Sequence, residues 1–257
     1  MEFKTLQVQI ADGVAVVTLN RPPVNAQNAE LRSDVIECFD TLSDMAEVAC
    51  IVITGSGKTF SAGADIRERP NLAEKPGAYG RHNRLTRECH YAMVECSKPI
   101  IAAINGPALG AGFGLVMGAD IWVASENAYV SMPEINVGLA GGVTYLQKYF
   151  SQSRARRMFY TGMQVSAQEL YRLGLVEACL PPDELMPYAM GIAREIASKS
   201  PVALRLAKEA ARMTLSMPQR EAYRYEQGNT VALSKTEDAR EAQMAFLEKR
   251  APVYKGR

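Results

Sequence analysis

Apolar blocks separated by glycine, proline and charged punctuation predict alternating strands and helices along most of this chain. Leu6 to Ile10 and Val14 to Leu19 flank Ala11-Asp12-Gly13, a hairpin signal. Asn28 opens a helical pattern in which Leu31, Val35, Phe39, Leu42 and Met45 recur every three or four residues. Cys50 to Thr54 and Ile100 to Ile104 are continuous apolar runs of the kind expected of buried strands. Between them, Arg67 to Arg81 is charged and holds Pro70, Pro76, Gly77 and Gly80, so it reads as a mobile surface loop. His82 to Cys96 then reads as a helix with Leu85, Cys89, Ala92, Met93 and Cys96 on one face.

Farther on, Gly138 to Gly142 is a glycine-rich turn and Ser153 to Tyr160 a short basic helix. Ser166 and Glu169 form a capping-box pattern opening a helix that ends near Gly174. Leu175 to Leu180 reads as a short strand, closed by Pro181-Pro182-Asp183. From there to Lys249 the pattern is helical throughout, with Pro201 starting a new helix and Pro218 breaking the run. The coarse expectation is an α/β fold whose C-terminal part is all helices.

Composition narrows the class without naming a function. With 47% apolar and 22% charged residues, the 257-residue chain looks globular. A net charge of +1 supplies no field for nucleic acid or an anionic membrane. No apolar run approaches the ~20 residues of a membrane span, and Met1-Glu2-Phe3-Lys4 shows no secretory pattern, so a cytoplasmic protein is expected. The five cysteines contain no C-x-x-C, which favours free thiols over a disulfide framework or a zinc site. The only histidines, His82 and His90, lie eight residues apart, too far for a metal pair on one helical turn, and no metal is expected.

The richest chemistry lies in Pro99 to Glu134. A strand pattern meets Asn105-Gly106-Pro107, then Gly110, Gly112 and Gly114, then another apolar run. This reads as strand, glycine-rich turn and helix start, where backbone N–H groups lack intrahelical partners and can meet negative charge. A dinucleotide fingerprint fails because Leu115 occupies the third glycine position. Gly57-Lys58-Thr59 fails as a phosphate-binding loop because Val52 stands where its first glycine belongs. Ser61 fails as a nucleophile elbow because Thr59 stands two residues before it. A second small-residue turn, Phe60-Ser61-Ala62-Gly63-Ala64-Asp65-Ile66, follows the Cys50 strand. Two such turns could offer two N–H groups to one oxygen.

Five segments in this order resemble the enoyl-CoA hydratase/isomerase (crotonase) family over essentially the whole chain: Leu19-Asn20-Arg21-Pro22 with Asn25-Ala26; Phe60 to Ile66; Ala108 to Gly112; Pro133-Glu134 with Val137-Gly138-Leu139; and Phe246 to Arg250. The resemblance implies a spiral of β-β-α turns spanning 1–195 and a helical, trimerising region at 196–257, assembled as a homotrimer or dimer of trimers. It implies an acyl-CoA substrate, with CoA part of the substrate rather than a cofactor.

For the site, the resemblance implies that the backbone amides of Ala64 and Ala111 hold the thioester oxygen and that Glu134 is the acid–base. It places Gly110 and Gly114 at the acyl site, and Ala62, Asp65 and Ile66 at the adenine end of CoA. Arg21 falls near the nucleotide, while Phe246 and Lys249 are candidates to reach a neighbouring subunit's CoA. Two departures stand out. Hydrating relatives typically carry a second glutamate where this chain has Gly114, and they often have a longer turn where it has Leu139-Ala140-Gly141-Gly142. The expected activity is therefore isomerisation or hydration of an enoyl-CoA. CoA thioester hydrolysis, decarboxylation, a hydratase-lyase reaction and non-catalytic acyl-CoA binding remain the alternatives.

Overall fold

A computed structural model describes residues 1–69, 72 and 74–257; Pro70, within the expected surface loop, lies outside them. The hairpin pairs β1 (Leu6–Ala11) with β2 (Val14–Leu19) across Asp12-Gly13, both with positive φ as a tight hairpin turn requires. Helix α1 (Ala29–Asp44) is capped by the Asn28 side chain, which accepts from the Leu31 N–H at 2.9 Å. Strand β3 (Cys50–Gly55) follows, then a 3-10 turn over Ile66–Glu68. Helix α2 (Ala78–Glu95) begins four residues before its apolar face suggests, because Gly77 supplies a left-handed start. Its first turn takes in residues assigned above to the loop.

Strand β4 (Ile100–Ile104), the short β5 (Ala108–Leu109) and α3 (Ala111–Met117) bear out the strand, turn and helix reading of the central stretch. Beyond them lie β6 (Ile121–Ser125), β7 (Tyr129–Ser131), a 3-10 turn at Pro133–Val137, α4 (Val143–Tyr149), α5 (Gln152–Thr161), β8 (Val165–Ser166) and α6 (Ala167–Arg172). The capping box at Ser166 is half made. Its hydroxyl accepts from the Glu169 N–H, but the Glu169 carboxylate is held by Arg154 and Arg172 instead. The expected strand at Leu175 to Leu180 shrinks to β9 (Cys179–Leu180), which pairs with Ala124 and Ser125 of β6, while Glu177 N–H still donates to the Trp122 carbonyl upstream. Helices α7 (Pro182–Ala197), α8 (Pro201–Thr214), α9 (Gln219–Leu233) and α10 (Glu237–Glu248) complete the chain.

The main sheet has the order β1-β2-β3-β4-β6-β9, parallel after the first hairpin. Period-two alternation divides its strands between two buried faces. Ile51, Ile53, Ile100, Ala102 and Ile104 face the larger core, while Cys50, Val52, Ile101, Ala103 and Val123 pack under Leu185, Ala189 and Ala193 of α7. Burial on both faces explains why these strands read as unbroken apolar runs. The smaller sheet, β5-β7-β8, is continued by single bridges between Ser61 and Ala108 and between Gln27 and Ala64. Successive chain turns thus contribute first to the large sheet and then to the small one. The small sheet carries the loops that form the site.

Candidate active site

The two small-residue turns meet because they have almost no side chains to keep them apart. Gly63 has φ 87°, and a Cβ there would lie 2.5 Å from the Leu109 carbonyl oxygen and 3.4 Å from the Ala111 nitrogen. Hydrogen bonds lace the turns together: Leu109 N–H donates to the Ser61 carbonyl at 2.9 Å, and Ser61 N–H donates to the Pro107 carbonyl at 3.2 Å. The buried Ser61 hydroxyl donates to the Asn25 carbonyl at 2.7 Å, a structural use that agrees with its failure as a nucleophile.

The same lacing orients the amides. In the bridge between Gln27 and Ala64, Gln27 N–H donates to the Gly63 carbonyl at 2.7 Å and its carbonyl accepts from Asp65 N–H at 2.9 Å. Parallel pairing of this kind turns the N–H of Ala64 away from Gln27. Ala111 is the first residue of α3, so its N–H has no intrahelical acceptor. Neither amide has an acceptor among the described residues. The Gln27 side chain donates to the Ala111 carbonyl at 2.9 Å, tying both turns to one buried residue that its motif position did not single out. Since α3 is only seven residues long, its macrodipole adds little; the amides themselves are the donors.

Glu134 enters from the 3-10 turn that Pro133 starts and left-handed Gly138 ends. Its carboxylate packs against the Cα of Gly110, where a Cβ would run into Oε1. Oε2 is buried and has no hydrogen-bond partner among the described residues. Burial holds the Glu134 proton to a higher pH than is usual for the residue, opposed by its own backbone N–H and by the charge of Arg69.

Ala64, Gly110, Ala111, Gly114 and Glu134 line one cavity of about 490 Å³. Nothing lies within 4 Å of where a Gly114 Cβ would stand, so this wall is open at the position of the missing second carboxylate. Leu139 to Gly142 and Tyr145 form another part of the lining, and both histidines also reach it. His90 Nδ1 lies 2.9 Å from the Gly114 carbonyl, which can only accept, so that nitrogen carries the hydrogen. Burial lowers the pKa of His90, favouring the neutral ring. Tyr149 donates to the Met117 carbonyl and is a packing residue.

The cavity also has a cationic side that the sequence reading missed. Arg32 of α1, fully buried, lines it together with Arg69 and the buried Cys89. Burial pushes the Cys89 thiol up to about 12, so it is no nucleophile at neutral pH. The one available signal for Arg32 was its place beside Leu31, on the edge of the apolar stripe of α1.

The remaining candidates lie outside the cavity. The Asp65 carboxylate is held by both nitrogens of the Arg67 fork (2.8 and 2.7 Å) and by Arg21 at 2.9 Å. It also caps the 3-10 turn through the Arg67 N–H. Its side chain thus clamps the chain directly after Ala64. Ala62 N–H donates to the Val24 carbonyl, and Ile66 is exposed. Phe246 is exposed on α10, and Lys249 is the left-handed residue that ends that helix. All five cysteines are free thiols, and among the described residues no three metal-ligating side chains gather. No described helix is long and apolar enough to cross a membrane.

A β-β-α spiral in which two small-residue turns converge beside a half-buried glutamate is the architecture of one family of acyl-CoA enzymes. The chain belongs to the enoyl-CoA hydratase/isomerase family, the crotonases, whose family model matches residues 9–257. It is 37% identical over 254 residues to a carnitinyl-CoA dehydratase from Salmonella typhi, covering 94% of each chain. Its fold matches an enoyl-CoA hydratase from Bacillus anthracis at a TM-score of 0.92 and 33% identity, covering 99% of this chain and all of the other. An enoyl-CoA hydratase from Mycobacterium smegmatis matches at 0.91 and 29% identity, covering 97% and 98%.

Proposed function

We propose that this enzyme adds water to the 2,3 double bond of an enoyl-CoA, or removes it in the reverse direction, with Glu134 as its single acid–base. In the hydration direction the Ala64 and Ala111 amides hold the thioester oxygen as negative charge collects on it, a contribution of about 3 kcal/mol per donor in comparable sites. Glu134 takes one proton from water as the hydroxide oxygen bonds to the beta carbon, then gives that proton to the alpha carbon. One water is consumed and the carboxylate is restored. The observation that carries this reading is the buried, unpartnered Glu134 oxygen packed on Gly110, one residue from a free Ala111 amide and in the same cavity.

A second reading, isomerisation of a 3-enoyl-CoA, is favoured by Gly114. With no second carboxylate there to help hold a water, Glu134 could take a proton from the alpha carbon and return it at the gamma carbon. Absorbance of the conjugated thioester separates the two. Hydration makes a short 2-enoyl-CoA lose absorbance, whereas isomerisation makes a 3-enoyl-CoA gain it. Release of free CoA thiol would instead indicate hydrolysis. Glu134→Gln should lower kcat by about 10²–10⁴-fold while leaving thioester binding intact; an unchanged rate would remove Glu134 from the mechanism.

Self-association through the helical C-terminal part belongs to the same proposal. Leu215, Val231, Phe246 and Leu247 are exposed there, and a trimer would cover such apolar surface. It would also bring Phe246 and Lys249 within reach of a neighbouring subunit's CoA. Sedimentation equilibrium giving a monomer would refute this part.

A further inference from the structure

Arg32 is the largest fully buried side chain among the described residues, and its only ion-pair contact there is a long one to Glu68. Nε, Nη1 and Nη2 are all buried without a hydrogen bond among the described residues. The nearest carboxylate, Glu68, stands 3.7 Å from Nη1, beyond hydrogen-bond distance, and its other oxygen accepts from the Ala29 N–H. Arg69 adds a second guanidinium to the same cavity, and its Nε is also buried and unpartnered. His82, facing both, has its pKa lowered by burial and by these two charges.

A guanidinium carries five N–H donors and keeps its charge, so burying it without hydrogen bonds is costly. An apolar side chain would fill the same space on α1 more favourably. The arrangement makes sense when an anion enters the cavity and takes those donors as a planar, two-pronged acceptor.

We propose that the acyl group of the substrate ends in a carboxylate, which Arg32 binds with help from Arg69. This inference rests on the proposed acyl-CoA function and specifies its substrate class. Glutaryl-CoA and pentanoyl-CoA have five-carbon acyl chains and differ in the terminal carboxylate, and neither can be hydrated, so binding is read alone. Calorimetry should show glutaryl-CoA binding about 10- to 100-fold tighter, the range for a charge-assisted hydrogen bond. Arg32→Met should erase that preference while leaving pentanoyl-CoA unaffected, and Arg32→Lys should retain part of it. Carnitinyl-CoA, which carries a quaternary ammonium, should bind more weakly than pentanoyl-CoA.

Equal binding of the two five-carbon thioesters, or tight binding of carnitinyl-CoA, would overturn the inference. So would an Arg32→Met variant that weakens free CoA as much as glutaryl-CoA, since the guanidinium would then be reading CoA phosphate. If Arg32→Met fails to fold, the wild-type ratio still decides. If none of the thioesters binds, the acyl-CoA reading itself falls, an outcome distinct from binding without preference.

Discussion

The cavity has two unlike sides. One is built from main chain: Ala64, Gly110, Ala111 and Gly114 present little but backbone, with the Glu134 carboxylate packed onto Gly110 and neutral His90 bonded to the Gly114 carbonyl. The other side is built from long charged side chains, Arg32 and Arg69, held by α1 and the segment after the first 3-10 turn. The backbone side suits a step common to many acyl-CoA thioesters, because each thioester presents the same oxygen. The charged side meets whatever the acyl chain carries, so selection belongs there. Substitutions on the first side should therefore change rate for every substrate, and those on the second should change the ranking of substrates.

Of the substitutions that test this division, Gly110→Ala should have the largest effect. The residue has φ 51°, and an added Cβ would run into Glu134. Displacing the carboxylate and disturbing the neighbouring Ala111 amide should cost about 10²–10³-fold in kcat. The ratio of kcat/KM between two acyl chains should stay constant; a change in ranking would break the division between the two sides.

A smaller effect tests what steadies the backbone side. Asp65→Asn removes a charge-assisted bond to Arg21 beside Ala64, costing about 2 kcal/mol. That corresponds to about 4–8 °C in Tm for a domain of this size. The guanidinium of Arg67, with help from Arg21, holds the Asp65 pKa below the ordinary carboxylate range. Its stabilisation is therefore present above the unfolded value of about 4 and is lost as pH falls toward the folded one. The Tm gap between wild type and Asp65→Asn should narrow in acid; a gap independent of pH would show that the clamp is not ionic.

The smallest effect concerns the cost of the catalytic carboxylate. The folded pKa of Glu134 is raised by burial, so its protonated form is favoured in the native state and stability is lost as pH rises through that value. Glu134→Gln, which resembles the protonated acid, should match wild type in acid and exceed it in Tm at neutral pH. The acid limb of kcat/KM should correspondingly lie above the usual glutamate range. A variant less stable than wild type at neutral pH would indicate that the carboxylate is solvated.

Much of this organisation was legible in the chain itself. The alternating hairpin, the Asn28 cap and the apolar runs at Cys50 and Ile100 are local signals, and the structure keeps them. The central strand, turn and helix were readable because glycine and proline punctuate them. Strands β6 and β7 were not, since both are short and only Gly118-Ala119-Asp120 separates β6 from the apolar run of α3.

Sequence alone determined the family, the two small-residue turns and the position of Glu134, because each is a short local pattern whose residue types are constrained by backbone geometry. Tertiary structure decided that the N–H of Ala64 turns away from Gln27, that Glu134 is packed on Gly110, and that Asp65 is spent on clamping the chain. Above all it decided the place of Arg32. A charged residue at the edge of an amphipathic helix reads as solvated until the partner elements are known. Here the packing of α1 closes that edge in, and a side chain that could have faced water becomes a buried guanidinium at the cavity with no hydrogen bond among the described residues.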